Sequence, residues 1–154
     1  MTGALPRSGR LAAIDYGTVR LGIAVTDPDQ GLASPLENYT RRSKDADAAW
    51  LAQLAKNERI AGFVVGLPVH LSGEESQKSR EARQFAEWVR EVTALPVALF
   101  DERFTSAQAE SLLLDAEMTK KRRKERLDKL AAQILLSAYL ESSRGDQQPG
   151  GIGD

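Results

Sequence analysis

Leu11–Asp27 reads LAAIDYGTVRLGIAVTD, and the reading of this stretch decides the fold. The apolar run Leu11–Ile14 delivers a carboxylate at Asp15, and a turn holding Gly17 returns the chain toward Asp27. On the way back Leu21, Ile23 and Val25 alternate with Gly22, Ala24 and Thr26, the period-two pattern of a half-buried strand. The stretch predicts a β-hairpin with an acid at the end of its first strand. Strand ends and the loops after them are where α/β folds place chemistry, because the sheet fixes the group and the loop leaves it open. Local chemistry alone leaves Asp15 and Gly17 with three readings: a phosphate loop, a tight turn or a metal site.

Composition narrows the classes. A chain of 154 residues is most simply one domain with a sizeable core. The expected limits are 1–144 for the domain, with 1–9 as a loose leader and 145–154 as a disordered tail. With 42% apolar and 28% charged residues the balance is that of a globular protein, and no apolar run approaches the ~20 residues of a membrane helix. No membrane role is expected. The N-terminus carries no apolar stretch of the signal-peptide kind, so a cytoplasmic location is expected. The absence of cysteine excludes disulfides, thiolate catalysis and cysteine-type zinc sites. At a net charge of −1, any nucleic-acid binding has to come from local clustering of charge.

Beyond the hairpin, Leu32–Leu36 reads as a third strand that Pro35 confines to a sheet edge. Ser43 suits the cap of a helix with Ala48, Leu51, Leu54 and Ala55 on one face, and Ile60–Val65 follows as a buried strand running into Gly66-Leu67-Pro68. Ser72–Glu75 has capping-box spacing ahead of the stripe Ala82, Phe85, Ala86, Val89 and Val92. Pro96–Phe100 is a further buried strand closed by Asp101-Glu102-Arg103. Thr105–Gln108 opens another helix through Leu112, Leu113 and Ala116, and a last helix runs from about Arg122 to Tyr139. The order βββαβαβαα implies a mixed sheet, antiparallel where strands follow directly and parallel where a helix intervenes.

Three acids are candidates for one site. Asp15 ends the first strand, Glu102 ends the last, and Asp128 shares a helical face with Ala131, Ala132 and Leu135. A carboxylate on an inward face is costly unless a cation or hydrogen bonds compensate it. Oxygen donors without cysteine and with a single histidine favour a hard cation, Mg²⁺ or Mn²⁺, and such sites hold one or two ions that promote phosphodiester hydrolysis. Gly17, without a Cβ, lets backbone or a substrate phosphate come close. Beside Asp128 lie Lys120, Lys121, Arg122, Arg123 and Lys124, with Arg126 and Lys129 beyond, a basic cluster suited to a phosphate backbone. Arg20 and Arg103 flank candidate acids and are further phosphate contacts, or simply ion-pair partners of those acids. His70 reads as a surface residue, and Trp50 and Trp88 as packing residues rather than base-stacking platforms.

These segments carry a resemblance. Asp15-Tyr-Gly-Thr-Val-Arg-Leu-Gly-Ile-Ala, Val65-Gly-Leu-Pro, Asp101-Glu-Arg-Phe-Thr-Ser, and Lys124 with Asp128-Lys-Leu-Ala-Ala-Gln-Ile-Leu resemble the successive motifs of the YqgF/RuvX family, whose members are described as Holliday junction resolvases or pre-16S rRNA nucleases. The match covers roughly residues 10–141. It implies an α/β chain with an RNase-H-like fold, a five-stranded mixed sheet carrying helices on both faces. It implies a divalent-metal nuclease with Asp15, Glu102 and Asp128 as metal ligands, Asp101 being the second choice at its position, and Gly17 and Gly66 as glycines that admit close approach. The nucleic-acid partner would be RNA or branched DNA, acted on by a monomer or homodimer. A fourth acid soon after the third, present in better-known resolvases, is missing, since Lys129–Tyr139 contains none. Two rival readings are an actin-like ATPase half-domain, suggested by Asp15-Tyr-Gly-Thr, and a non-catalytic nucleic-acid-binding or ribosome-assembly module on the same fold.

Overall fold

The computed structural model describes residues 5–68, 76–102 and 120–147, the side chains of the last segment being described over 130–143. The elements are β1 (Arg10–Asp15), β2 (Arg20–Thr26), β3 (Ala33–Thr40), α1 (Lys44–Asn57), β4 (Ile60–Leu67), α2 (Gln77–Thr93), β5 (Val97–Asp101) and α3 (Lys120–Gln147). The strands form one five-stranded sheet in the order β3-β2-β1-β4-β5. β1 is central, antiparallel to β2 and parallel to β4, and β5 joins β4 in parallel. This is the mixed sheet expected from the element order.

Alternation along the strands sorts the core into two layers. Ala12, Ile14, Ile23, Phe63, Val65 and Val97 pack with Leu51 of α1 and with Phe85 and Val89 of α2. Leu11, Ala13, Ala24, Val64 and Ala98 pack on the other face with Ala132, Leu135, Leu136 and Leu140 of α3. The sheet is thus covered on both sides, and α3 lies across β1, β2 and β3.

Pro35 does lie on an edge strand. β3 nevertheless extends to Thr40, past the expected Leu36, because Tyr39 and Thr40 continue the pairing with Leu21 and Arg20. The register slips between Ile23 and Ala24, where β3 presents Glu37 and then Pro35, leaving Leu36 as the extra residue. A proline has no N–H to offer the ladder, and a bulge accommodates it.

Ser43 caps α1 by accepting the Ala46 N–H at 3.1 Å, as its position predicts. The cap of α2 is Ser76, which exchanges hydrogen bonds with Ser79; the Ser72–Glu75 box lies outside the described residues. Serine at the third helical position answers the cap much as a glutamate would, so the signal is displaced by four residues. The helix proposed through Leu112, Leu113 and Ala116 also lies outside the described residues. α3 continues past Tyr139 through Gln147, so the first three residues of the expected tail are helical.

Residues 5–9 are not a loose leader. Leu5 is buried against Gly62, the Gln30 side chain donates to the Pro6 and Gly9 carbonyls, both at 2.9 Å, and the Gly9 N–H donates to the Pro28 carbonyl. The apolar Leu5 fills a space that a side-chain-free strand position leaves open. Among the described residues no helix is long and apolar enough to cross a membrane.

Candidate active site

The C-terminal ends of the three parallel strands β1, β4 and β5 lie side by side, and the middle one carries Gly66 one residue before its end. Ile14 pairs with Val65, which brings Asp15 beside Gly66, and Gly66 in turn pairs with Phe100. By alternation Asp15 follows Leu11 and Ala13 onto the face covered by α3. A Cβ at Gly66 would point to the same face, as Val64 does, and would lie 2.6 Å from Glu102 Oε2. Glu102 therefore lays its carboxylate over the bare backbone of Gly66, in the gap next to Asp15. Any larger residue at Gly66 would fill this gap.

Electrostatics report the same proximity. Glu102 is pushed up to about 7, first by burial and then by the negative charges of Asp15 and Asp101, with Lys78 pulling it down. Asp101, the last residue of β5, follows the parity of Val97 and Leu99, and Glu102, just past the strand, has its carboxylate on the side of Gly66 that Val64 shares. Glu102 lines a cleft of about 250 Å³ with Tyr16, Thr18, Gly66, Lys78 and Glu81. Asp15 lines a neighbouring hollow of about 340 Å³ with Arg20, Gly22 and Asn38, and Tyr16, Gly17 and Thr18 border both.

Gly17 has a local structural reason. A Cβ there would stand 2.6 Å from the Arg20 carbonyl oxygen, so the turn between β1 and β2 closes only around a glycine. Arg20 opens β2, exposed, beside Asp15 in the shared hollow. Asp128 belongs to α3, one turn before the buried Ala132, on the helix that covers the Asp15 face; its side chain, and those of Lys120, Lys121, Arg122, Arg123 and Lys124, lie outside the described residues, as does Arg103. Among the described residues no three acids or histidines come together closely enough to hold a metal ion.

A second network, absent from the sequence reading, braces the turn after Asp15. Asp47, only 2% exposed, accepts hydrogen bonds from the Tyr39 hydroxyl (2.7 Å), the Arg42 N–H (2.9 Å) and Arg41 Nε (3.2 Å). Arg41 donates from its other arm to the Gly17 carbonyl at 3.2 Å and lies over the rings of Tyr16 and Phe85. Burial alone would raise Asp47, but the three donors and the Arg41 charge outweigh it and hold the carboxyl below the ordinary aspartate value. Burial and the Asp47 carboxylate push the Tyr39 hydroxyl up. Trp50 stacks on Tyr39 with ring centroids 3.8 Å apart, the packing role expected of it.

A family model described as RuvX, Holliday junction resolvase, matches residues 9–142. The chain belongs to the RuvX family. Among curated relatives, a protein of Rhodopirellula baltica named "Putative pre-16S rRNA nuclease" is 52% identical over 90% of this chain and 80% of its own length. One of the same name from Koribacter versatilis is 42% identical over 91% of this chain and 92% of its own. Of solved structures, Thermus thermophilus RuvC in complex with a Holliday junction substrate superposes with a TM-score of 0.55 at 15% identity, covering 87% of this chain and 96% of that one. The Fowlpox virus resolvase, also solved with junction DNA, gives 0.51 at 11% identity, covering 87% and 98%. At such identities the likeness establishes the RNase-H-like fold of this RuvX chain and nothing finer. RuvX relatives are named as nucleases, and the chain is an enzyme of that class.

Sequence reasoning missed Lys78, Thr18, Arg41 and Asp47. A buried aspartate in the first turn of a helix beside a Tyr-Thr-Arg-Arg segment is the only local hint of the Arg41–Asp47 clamp, and nothing in spacing ties it to Gly17.

Proposed function

We propose that the chain is a divalent-metal-dependent endonuclease that hydrolyses phosphodiester bonds in structured nucleic acid, with Asp15, Glu102 and Asp128 holding Mg²⁺ or Mn²⁺. The observation that carries this reading is the Glu102 carboxylate lying over Gly66 next to Asp15. Burial raises Glu102 first and the neighbouring charge of Asp15 adds to it, and a hard cation offsets both. The donors are all oxygen, and the floor beneath them has no side chain, so the residues present fit such an ion. When bound, it would supply a Lewis acid for the scissile phosphate and a water of lowered pKa. Around it, Lys78 brings positive charge to the rim of the Glu102 cleft, and the Tyr16–Thr18 turn, braced by Arg41, keeps Asp15 at a fixed end of the central strand.

Both substrates named among the relatives and family, precursor 16S rRNA and the Holliday junction, suit this site, the former having the support of the more similar proteins. The test is incubation of purified protein with each substrate, in Mn²⁺ and in chelator, beside Asp15→Asn. Cleavage of one or both in Mn²⁺ alone, lost in Asp15→Asn, is expected. Equal cleavage by Asp15→Asn would refute the assignment, and binding without cleavage of either substrate would favour a non-catalytic module.

A further inference from the structure

A second groove lies beside the acid cleft. It holds about 490 Å³ between the β1–β2 turn, the β3–α1 junction and α2, and its walls carry Arg42, Lys44, Gln84, Phe85 and Trp88. We infer that this groove binds an unpaired nucleic-acid strand flanking the reacting phosphate, with Trp88 stacking a base and Arg42 and Lys44 contacting its phosphates. The inference rests on the nuclease reading for which phosphate reacts, but its binding chemistry stands on the groove alone.

Continuity comes first. Tyr16, Thr18 and Glu81 line both the groove and the cleft of Glu102, so a chain with one phosphate over the acids passes across the Tyr16–Thr18 turn into the groove. Next is rigidity. One wall of the groove is Arg41, whose guanidinium is committed to buried Asp47, to the Gly17 carbonyl and to the rings of Tyr16 and Phe85. Asp47 is in the same lining but its charge is met by Arg41, so it does not repel a phosphate chain as a free carboxylate would. Arg42 and Lys44 are exposed and form no ion pair among the described residues, while the remaining acid of the lining, Glu81, accepts from the Gln77 side chain.

Aromatic placement specifies an unpaired strand. Trp88 is half-buried, packed on Phe85 at a centroid distance of 5.5 Å, and still borders the groove. An indole fixed on one side and open on another is a platform for a base, and only a base outside a duplex has a free face to stack. The volume lies in the range of small-ligand sites and suits a single strand; a duplex would have to stay outside it. Trp88 does pack against the core, as its place in the helical stripe predicts, and the stacking role belongs to the side that borders the groove.

The test uses Trp50→Phe protein, in which Trp88 is the sole tryptophan, held in chelator so that no cleavage occurs. It is titrated with octauridylate, octathymidylate, a blunt-ended duplex and a mononucleotide, reading tryptophan emission. Saturable quenching by a single strand and not by the duplex is expected, with the RNA and DNA arms separating the two backbones. Arg42→Ala/Lys44→Ala, on the exposed surface, is expected to weaken binding roughly 5- to 100-fold, and to raise KM with little change in kcat in the Mn²⁺ cleavage assay. Absence of quenching, equal quenching by duplex or mononucleotide, or unchanged affinity in the double variant would overturn the inference. Loss of cleavage with quenching intact would instead count against the nuclease reading and leave the groove standing.

Discussion

Removing the Asp47 carboxylate should unlatch the turn that follows Asp15, and its three bonds allow a graded test. Oδ1 accepts from the Tyr39 hydroxyl and the Arg42 N–H, and Oδ2 accepts from Arg41 Nε. Asp47→Asn with its oxygen in the Oδ1 position keeps the first two and opposes Arg41 with an amide N–H, so it loses one charge-assisted bond, about 1–2 kcal/mol. Asp47→Ala loses all three and leaves a buried phenol and a partly buried cation. Such losses cost about 3–5 kcal/mol, and because Arg41 is 22% exposed and regains some water the lower end applies, about 3 kcal/mol. For a chain of this size that is a fall in Tm of roughly 6–12 °C. The pH dependence has a definite sign. The folded carboxyl titrates below its ordinary 3.8, so its contribution is fully present above that value and is lost as pH falls toward the folded pKa. The stability gap between wild type and Asp47→Asn should thus narrow as pH falls from about 5 to 3. Urea denaturation followed by circular dichroism at each pH measures both. If Asn and Ala cost the same, at less than about 1 kcal/mol, or if the gap does not change with pH, the network does not carry the load assigned to it.

The acid cluster yields two further expectations. Gly66→Ala would drive a methyl into the Glu102 carboxylate, the flexible end of a side chain, so the fold should survive with Tm within a few degrees while nuclease activity falls at least tenfold; paired melting and cleavage assays check this. Glu102→Gln removes the cost of burying a charge and the repulsion from Asp15 and Asp101, so in chelator it should melt at a higher temperature than wild type, and added Mg²⁺ should stabilise wild type more than the variant. A melt in which both proteins respond alike to chelator and Mg²⁺ would remove Glu102 from the ion site.

Positive charge near this cleft comes from Lys78 at its rim and from Arg42 and Lys44 in the adjoining groove. The run at Lys120–Lys124 opens α3, whose later turns pack on the face of the sheet that Asp15 shares, and its side chains lie outside the described residues. Such an arrangement reconciles a net charge of −1 with a nucleic-acid substrate, because phosphate binding depends on where the cations lie and not on their sum.

Local pattern was sufficient for the hairpin around Asp15, the edge position of Pro35, the Ser43 cap and the family motifs, since each follows from alternation, a missing N–H or a short-range hydrogen bond read within a few residues. Helix starts were less legible: serine served as the reciprocal partner at Ser76–Ser79, where the eye looks for a glutamate. Alternation by itself says only that Asp101 and Glu102 face opposite ways, and the preference for Glu102 comes from the family motifs. Which of them lies over Gly66 depends on the parity that Ala98 and Phe100 adopt against α3, a matter of packing between segments about thirty residues apart. The Arg41–Asp47 clamp and the groove beside it likewise arise only when β1, β3, α1 and α2 converge, because hydrogen bonds and clefts between distant segments leave no period in the chain.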